Sequence, residues 1–179
     1  MELTPEKVVG TKFEVWLEKL FSDLWYPKVR RNVEYHYSRY VYRQVDVEYR
    51  TLNPFNPLVI VEAKYSSGGN VRAELREEKK KHKQRIRTID NIVNELEERR
   101  QFVKARKAVL VTNRLFAKEV YEEAKKYDKI EVYDHIYLEE LDKKREQMWG
   151  FLFRRKSIDE QILAIDLRKY DLGPHIHYF

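Results

Sequence analysis

The sequence predicts an α/β fold, a mixed β-sheet flanked by helices, and three patterns carry that prediction. Apolar residues near the N-terminus recur at helical spacing, and residues 27–50 alternate with a period of two. Two uninterrupted apolar runs, Leu58-Val-Ile-Val61 and Ala108-Val-Leu-Val111, mark strands covered on both faces. In chain order the elements read α, β, β, β, α, β, α, β, α.

Thr4-Pro5-Glu6 starts the first helix: Thr4 caps free N–H groups and Pro5 stands where a missing N–H costs nothing. The stripe Val9, Phe13, Trp16, Leu17 and Leu20 extends that helix from Pro5 to about Phe21. Val29, Arg31, Val33, Tyr35 and Tyr37, then Val41, Arg43, Val45, Val47 and Tyr49, predict two strands of a hairpin. Asn53-Pro-Phe-Asn-Pro57 is a turn before the third strand, and Ser66-Ser-Gly-Gly69 ends that strand. A long helical stretch follows, with Val71 and Leu75, then Ile86, Ile89, Val93, Leu96 and Val103. One helix with an exposed middle and two helices around a charged loop both fit it. After the fourth strand come an amphipathic helix over Ala117–Tyr127, a short strand at Ile130-Glu-Val132, and a last helix capped by Asp134 and carrying Ile136, Leu138 and Leu141. Residues 1–146 are expected to form the main domain. Residues 147–179, with Trp149, Phe151, Leu152, Phe153 and Ile162-Leu-Ala-Ile165, form an extension that adds a strand or helix or serves a dimer contact.

Charged residues make up 37% of the 179-residue chain, against roughly 25% in a typical soluble protein. No stretch approaches the ~18 apolar residues that span a bilayer. Met1-Glu-Leu-Thr-Pro5 lacks the basic start and apolar run of a secretory signal, so a cytoplasmic protein without membrane contact is expected. The absence of cysteine excludes disulfides, iron–sulfur clusters and thiolate zinc sites, leaving carboxylates and imidazoles for any metal. Abundant Lys, Arg and Glu with two Met and 13 Tyr suit a thermophile. The net charge of +6 favours an anionic partner. Between Val71 and Arg87 stand eight basic residues (Arg72, Arg76, Lys79, Lys80, Lys81, Lys83, Arg85 and Arg87) and three acidic ones, a surplus of five. That concentration fits either a patch that touches phosphates or a solvated helix face.

Strand alternation puts Tyr42, Gln44, Asp46, Glu48 and Arg50 on one face of the second strand, and Val41, Val45, Val47 and Tyr49 on the other. On the third strand Glu62 and Lys64 share a face with Leu58 and Ile60, at the end of an otherwise apolar run. A buried charge needs a partner or a metal. A structural ion pair accounts for Glu62 and Lys64 alone, but a carboxylate from the neighbouring strand, Asp46, adds repulsion that a cation relieves. Together they point to a divalent-metal site. No Gly-rich phosphate loop is present, and the terminal His175 and His177 lack a third zinc ligand.

An acid on one strand, a turn, an apolar strand and then Glu62-Ala63-Lys64 resembles the PD-(D/E)xK nuclease superfamily, although no Pro precedes Asp46. Gly10-Thr-Lys-Phe13-Glu14 is similar to the GxxFE element of Mrr-like restriction endonucleases and archaeal Holliday-junction resolvases. Lys107–Asn113, Phe116–Ala124 and Ile130–Asp134 are similar to their later strand–helix–strand pattern. The resemblance covers about residues 5–145. It implies a restriction-endonuclease-like core and hydrolysis of DNA phosphodiesters with Mg²⁺ or Mn²⁺. Asp46, Glu62 and the Ala63 carbonyl would hold the ion, with Glu14 as a further ligand or acting through water. Lys64 would orient the attacking water or stabilise the developing charge. Glu48 and Gln44 are secondary candidates.

In some members a Gln, Arg or Lys from the helix after the motif lysine joins the site, which brings in Arg72, Lys83 or Gln84. The basic run Arg72, Arg76, Lys79, Lys80, Lys81, Lys83 and Arg85 would line the DNA path, with Tyr65 and Ser66 bordering the site. Tyr35, Tyr37, Tyr40 and Tyr42 fit sheet packing better than stacking on bases. Close packing or the approach of DNA would account for Gly10 inside a helix. Three functions follow: an Mrr-like endonuclease on duplex DNA, a resolvase acting as a homodimer on branched DNA, or a non-catalytic nucleic-acid-binding module.

Overall fold

A computed structural model describes residues 4–72, 91–150 and 156–179. Helix α1 (Pro5–Asp23) begins as the sequence predicts, the Thr4 hydroxyl accepting from the Lys7 N–H, and runs two residues past Phe21. Strands β1 (Arg30–Ser38), β2 (Val41–Arg50) and β3 (Leu58–Lys64) form an antiparallel meander. Helix α2 (Ile92–Phe102) leads to β4 (Lys107–Thr112), α3 (Lys118–Ala124), β5 (Ile130–Tyr133) and α4 (His135–Trp149). The tail contributes α5 (Ile158–Leu163), a 3-10 turn at Leu167–Lys169, and β6 (His175–Tyr178).

The six strands make one mixed sheet in the order β5-β4-β3-β2-β1-β6. β3, β4 and β5 run parallel, as strands joined by helical crossovers can. β6 lies parallel to β1 and forms the far edge. Two hydrophobic cores sandwich this sheet. On one face Ile92, Val93 and Leu96 of α2 and Val120 of α3 pack on Leu58, Ile60, Ala108 and Leu110. On the other, Phe13, Leu17 and Leu20 of α1, Leu138 of α4 and Ile162 of α5 pack on Val59, Val61, Val109 and Val111. The uninterrupted apolar runs of β3 and β4 follow directly from this double covering. The helix expected over Ala117–Tyr127 is shorter, ending at Ala124. No helix among the described residues is long and apolar enough to cross a membrane.

The hairpin departs from the alternation read in the sequence. Val45 packs with Val33 and Tyr35 in the first core, whereas Val47 and Tyr49 pack in the second. The strand therefore changes face between Val45 and Val47. Asn32 stands opposite this point on β1 with a φ of 52°, and the pairing skips from Arg31↔Val47 to Val33↔Val45. Residue-by-residue alternation holds only for a regular strand, and the left-handed backbone at Asn32 breaks it. The residue at the break is Asp46.

Candidate active site

The β2–β3 ladder runs from Arg50↔Leu58 to Val47↔Val61 and stops there. β3 continues for three more residues, Glu62 to Lys64, paired on its other side to β4 as far as Lys64↔Thr112. At this splay the Asp46 carboxylate does what a strand carbonyl would otherwise do: its Oδ2 accepts the Ala63 N–H at 2.8 Å. A carboxylate is thereby built into the sheet one strand away from Glu62 and Lys64, where the β2–β3 ladder has ended.

Glu62 is buried, and cations hold both its oxygens. Lys64 Nζ lies 3.0 Å from Oε1, and the Arg99 guanidinium of α2 donates to Oε2. Lys64 itself is half-exposed. Burial pushes the Asp46 carboxyl above the usual carboxylate range, opposed by the Ala63 N–H, Arg99 and Lys64. Glu14, three turns into α1, is pushed up to about 8, first by burial and then by the charge of Asp46, with Arg31 working against both. Burial also pulls the Arg99 guanidinium down, while Asp46 holds it up. The structure thus gathers Glu14, Asp46, Glu62, Lys64 and Arg99 from four different elements.

Burial leaves two carboxyls short of counter-charge while their oxygens remain hard donors, the chemistry a divalent ion answers. Among the described residues, no three Asp, Glu or His side chains stand close enough to hold an ion unaided. Mg²⁺ needs only one or two carboxylates with waters to complete its shell. Asp46, Glu62 and the Ala63 carbonyl are oxygen donors of that kind, with Lys64 and Arg99 holding the Glu62 oxygens in the bare protein.

Other residues singled out from the sequence lie elsewhere. Glu48 is buried with the Tyr35 hydroxyl donating to it and Arg30 Nε at 3.5 Å, a closed arrangement separate from Asp46. The shared polar face expected for Asp46 and Glu48 ends at the break in β2. Gln44 is exposed and donates to Asn32 Oδ1 at 2.7 Å. Tyr65 packs its ring edge-on to Phe13, and Asn113 holds Ser66 on both sides, accepting its N–H at 2.8 Å and donating to its carbonyl at 3.0 Å. Lys64, Tyr65 and Ser66 line a cleft of about 590 Å³ with Val9 and Gly10 of α1. A Cβ on Gly10 would meet nothing within 4 Å, so the close packing expected there is absent and Gly10 borders open space. Arg72 is exposed. Arg76, Lys79, Lys80, Lys81, Lys83, Gln84, Arg85 and Arg87 lie outside the described residues.

The residue that sequence reading missed is Arg99. The sequence held no unique signal for it: the spacing of Ile92, Leu96 and Val103 admits either Arg99 or Arg100, and Arg100 is the one that lies with the buried residues of α2 while Arg99 borders them. Only the folded chain brings Arg99 to a buried anion, Glu62.

No family model matches the sequence, and no curated protein matches it. Among solved structures the fold is similar to the crystal structure of AF1548, a protein of unknown function. The TM-score is 0.54 at 13% identity, covering 87% of this chain and 78% of that one. Weaker similarities are to protein VC1899 from Vibrio cholerae (TM-score 0.49, 18% identity, 76% of this chain and 32% of that one) and to the DNA modification-dependent restriction endonuclease AspBHI (TM-score 0.46, 16% identity, 92% of this chain and 39% of that one).

Proposed function

We propose that the chain is a divalent-metal-dependent phosphodiesterase that cuts DNA. The observation that carries this reading is the convergence of Asp46, Glu62 and Lys64 where β2 parts from β3. Two carboxylates that meet only at a break in the sheet are costly in a purely structural site. The chain order α-β-β-β-α-β and the basic composition agree with it.

In this reading Asp46, Glu62 and the Ala63 carbonyl hold Mg²⁺ or Mn²⁺. Once bound, the ion supplies charge neutralisation at the phosphate and acidifies water. Lys64, a compact ammonium half-exposed beside Glu62, holds the attacking water and meets the negative charge that grows on the phosphoryl oxygens. Water adds to phosphorus as the bond to the leaving sugar oxygen breaks, and that oxygen takes up a proton. Arg99 holds one Glu62 oxygen in the bare protein, a cation on a helix later in the chain than the motif lysine, in place of the Arg72, Lys83 or Gln84 that the resemblance brought in. Glu14, pushed up to about 8 by burial and by Asp46 in the metal-free chain, approaches the same group from the α1 side, as a further ligand or through water. The cleft beside Gly10, Lys64 and Ser66 admits the DNA backbone, and the basic run at 72–87 adds sequence-independent phosphate contacts.

The test is cleavage of supercoiled plasmid, linear single strands and a four-way junction in Mg²⁺, Mn²⁺ or EDTA. Cutting in either metal, absent in EDTA and absent in Glu62→Ala and Lys64→Ala, is the expected result. If every substrate survives in both metals while a salt-sensitive gel shift persists, the chain is a binding module and the catalytic reading fails.

A further inference from the structure

We infer that Asn113, its carboxamide oriented by Asp159 of α5, is a positioning residue for Lys64, so that the C-terminal helix α5 takes part in building the candidate site. This deepens the nuclease reading and rests on it for what Lys64 does there.

The backbone ladder between β3 and β4 ends at Lys64↔Thr112. One residue beyond Thr112 a side chain takes over: Asn113 Oδ1 accepts the Ser66 N–H at 2.8 Å, and Nδ2 donates to the Ser66 carbonyl at 3.0 Å. A single carboxamide thus satisfies both backbone groups of Ser66. On the other side of β3, Asp46 accepts the Ala63 N–H. Lys64 therefore lies between two backbone positions pinned by side chains, Ala63 by Asp46 and Ser66 by Asn113. Farther on, the Val71 N–H donates to the Leu115 carbonyl at 2.9 Å, and the Val71 carbonyl accepts the Ala117 N–H at 2.8 Å. Both ends of residues 66–71 are tied to the segment that follows β4. Lys64 is half-exposed and carries its ammonium on a flexible stem, so the place of that charge depends on how firmly its backbone is held.

Asp159 decides which way the carboxamide faces. The two ends of an amide have nearly one shape and opposite hydrogen bonding. Turned over, Asn113 would set its NH₂ against the Ser66 N–H and its oxygen against both the Ser66 carbonyl and Asp159. Asp159 Oδ1 instead accepts a second bond from Nδ2 at 2.9 Å, and Arg114 Nη2 holds Asp159 Oδ2 at 2.7 Å. Asn113 is 3% exposed, so water cannot repair a wrong orientation. Helix α5 is fixed in its turn. Ile162 is buried with Phe13 and Leu17, and Gln161 Oε1 accepts from Trp16 Nε1 at 3.1 Å and Arg145 Nη2 at 2.6 Å.

Two readouts on the intact chain test this: exchange of the Ser66 amide hydrogen by NMR in EDTA, measured against Val109 and Leu110 of β4, and kcat and KM for plasmid cutting in Mg²⁺. Asn113→Ala should speed Ser66 exchange about tenfold relative to the β4 amides and lower kcat about tenfold with KM unchanged. Asp159→Ala should move both in the same direction by less. Asp159→Asn, which keeps an oxygen for Nδ2, should recover both. Arg100→Ala, which weakens the fold without touching Asn113, should change neither. Unchanged Ser66 exchange in Asn113→Ala overturns the inference, and so does faster exchange shared equally by the β4 amides, which marks general loosening. Asp159→Ala equal to wild type in both readouts overturns the part given to α5. The nuclease reading fails separately. Ser66 exchange that depends on Asn113 and Asp159 in a chain that cuts nothing overturns the nuclease and keeps the positioning of the Lys64 backbone; metal-dependent cutting with an unchanged kcat in Asn113→Ala does the reverse.

Discussion

Arg99 and Arg100 are consecutive residues of α2, and each is committed to a glutamate, yet the two pairs are opposite in kind. Arg100 reaches back one turn to Glu97, with Nε at 2.7 Å and Nη2 at 2.6 Å from its two oxygens, and spends Nη1 on the Ala105 carbonyl. Gln101 also donates to Glu97, and Arg100 above all holds that carboxyl below its usual range. Everything needed to satisfy this pair lies within a few residues of one helix. Arg99 instead crosses to Glu62 on β3, in a group where Glu14 and Asp46 are pushed up by burial. A bidentate pair closed within one turn serves the fold. Carboxyls drawn from several elements and left short of counter-charge are kept at a cost in stability, which the proposed function would account for.

That contrast breaks or sharpens under substitution. The largest effect is expected for Glu62→Ala and Lys64→Ala, each lowering metal-dependent plasmid cleavage about 100-fold or more. Lys64→Arg should not recover it, since a forked guanidinium replaces a compact ammonium. Wild-type rates in either variant would reduce the splay to an ordinary ion-pair cluster.

Next is the pH dependence of stability. The folded protein keeps the Glu14 proton between the ordinary carboxyl value of 4.5 and about 8, where the unfolded chain has lost it. Stability in EDTA should therefore fall as pH rises through that window, by at most about 1.4 kcal/mol per pH unit for one proton. Denaturant titrations of Glu14→Gln should show a flatter slope; an unchanged slope would return Glu14 to the ordinary surface carboxyls.

Arg100→Ala should lower the unfolding free energy by about 2 kcal/mol, because it strips a charged hydrogen-bonding partner from buried Glu97, with cleavage kept once the protein is folded. Arg99→Ala should do the converse at smaller scale. The stability loss should stay below about 1 kcal/mol, since Lys64 still faces Glu62, while cleavage falls roughly tenfold. Equal stability losses for the two arginines would erase the distinction between them.

Much of this was open to inspection in the linear chain. The stripe from Phe13 to Leu20 and the runs at 58–61 and 108–111 are repetitive local patterns, and each became the helix or buried strand it predicts. Glu62-Ala63-Lys64 at the end of an apolar run was legible for the same reason; an ion pair accounts for the two charges by themselves, and only the addition of Asp46 from the neighbouring strand points further. Arg99 was not readable, because it borders the buried side of α2 rather than lying on it, and only Glu62, 37 residues earlier, gives that cation a purpose.

What no local pattern contains is the break in the hairpin. Alternation assigned Asp46 and Glu48 to one face, and the left-handed residue opposite, Asn32, parted them into an open group and a closed one. The same holds for the far edge, where β6 brings Tyr178 beside His36 from 142 residues away. Periodicity reports which side of an element is apolar, because that depends on near neighbours in the chain. Which strands part, and which rings and charges then meet, depends on backbone irregularity and on distant segments, and only the folded chain brings those together.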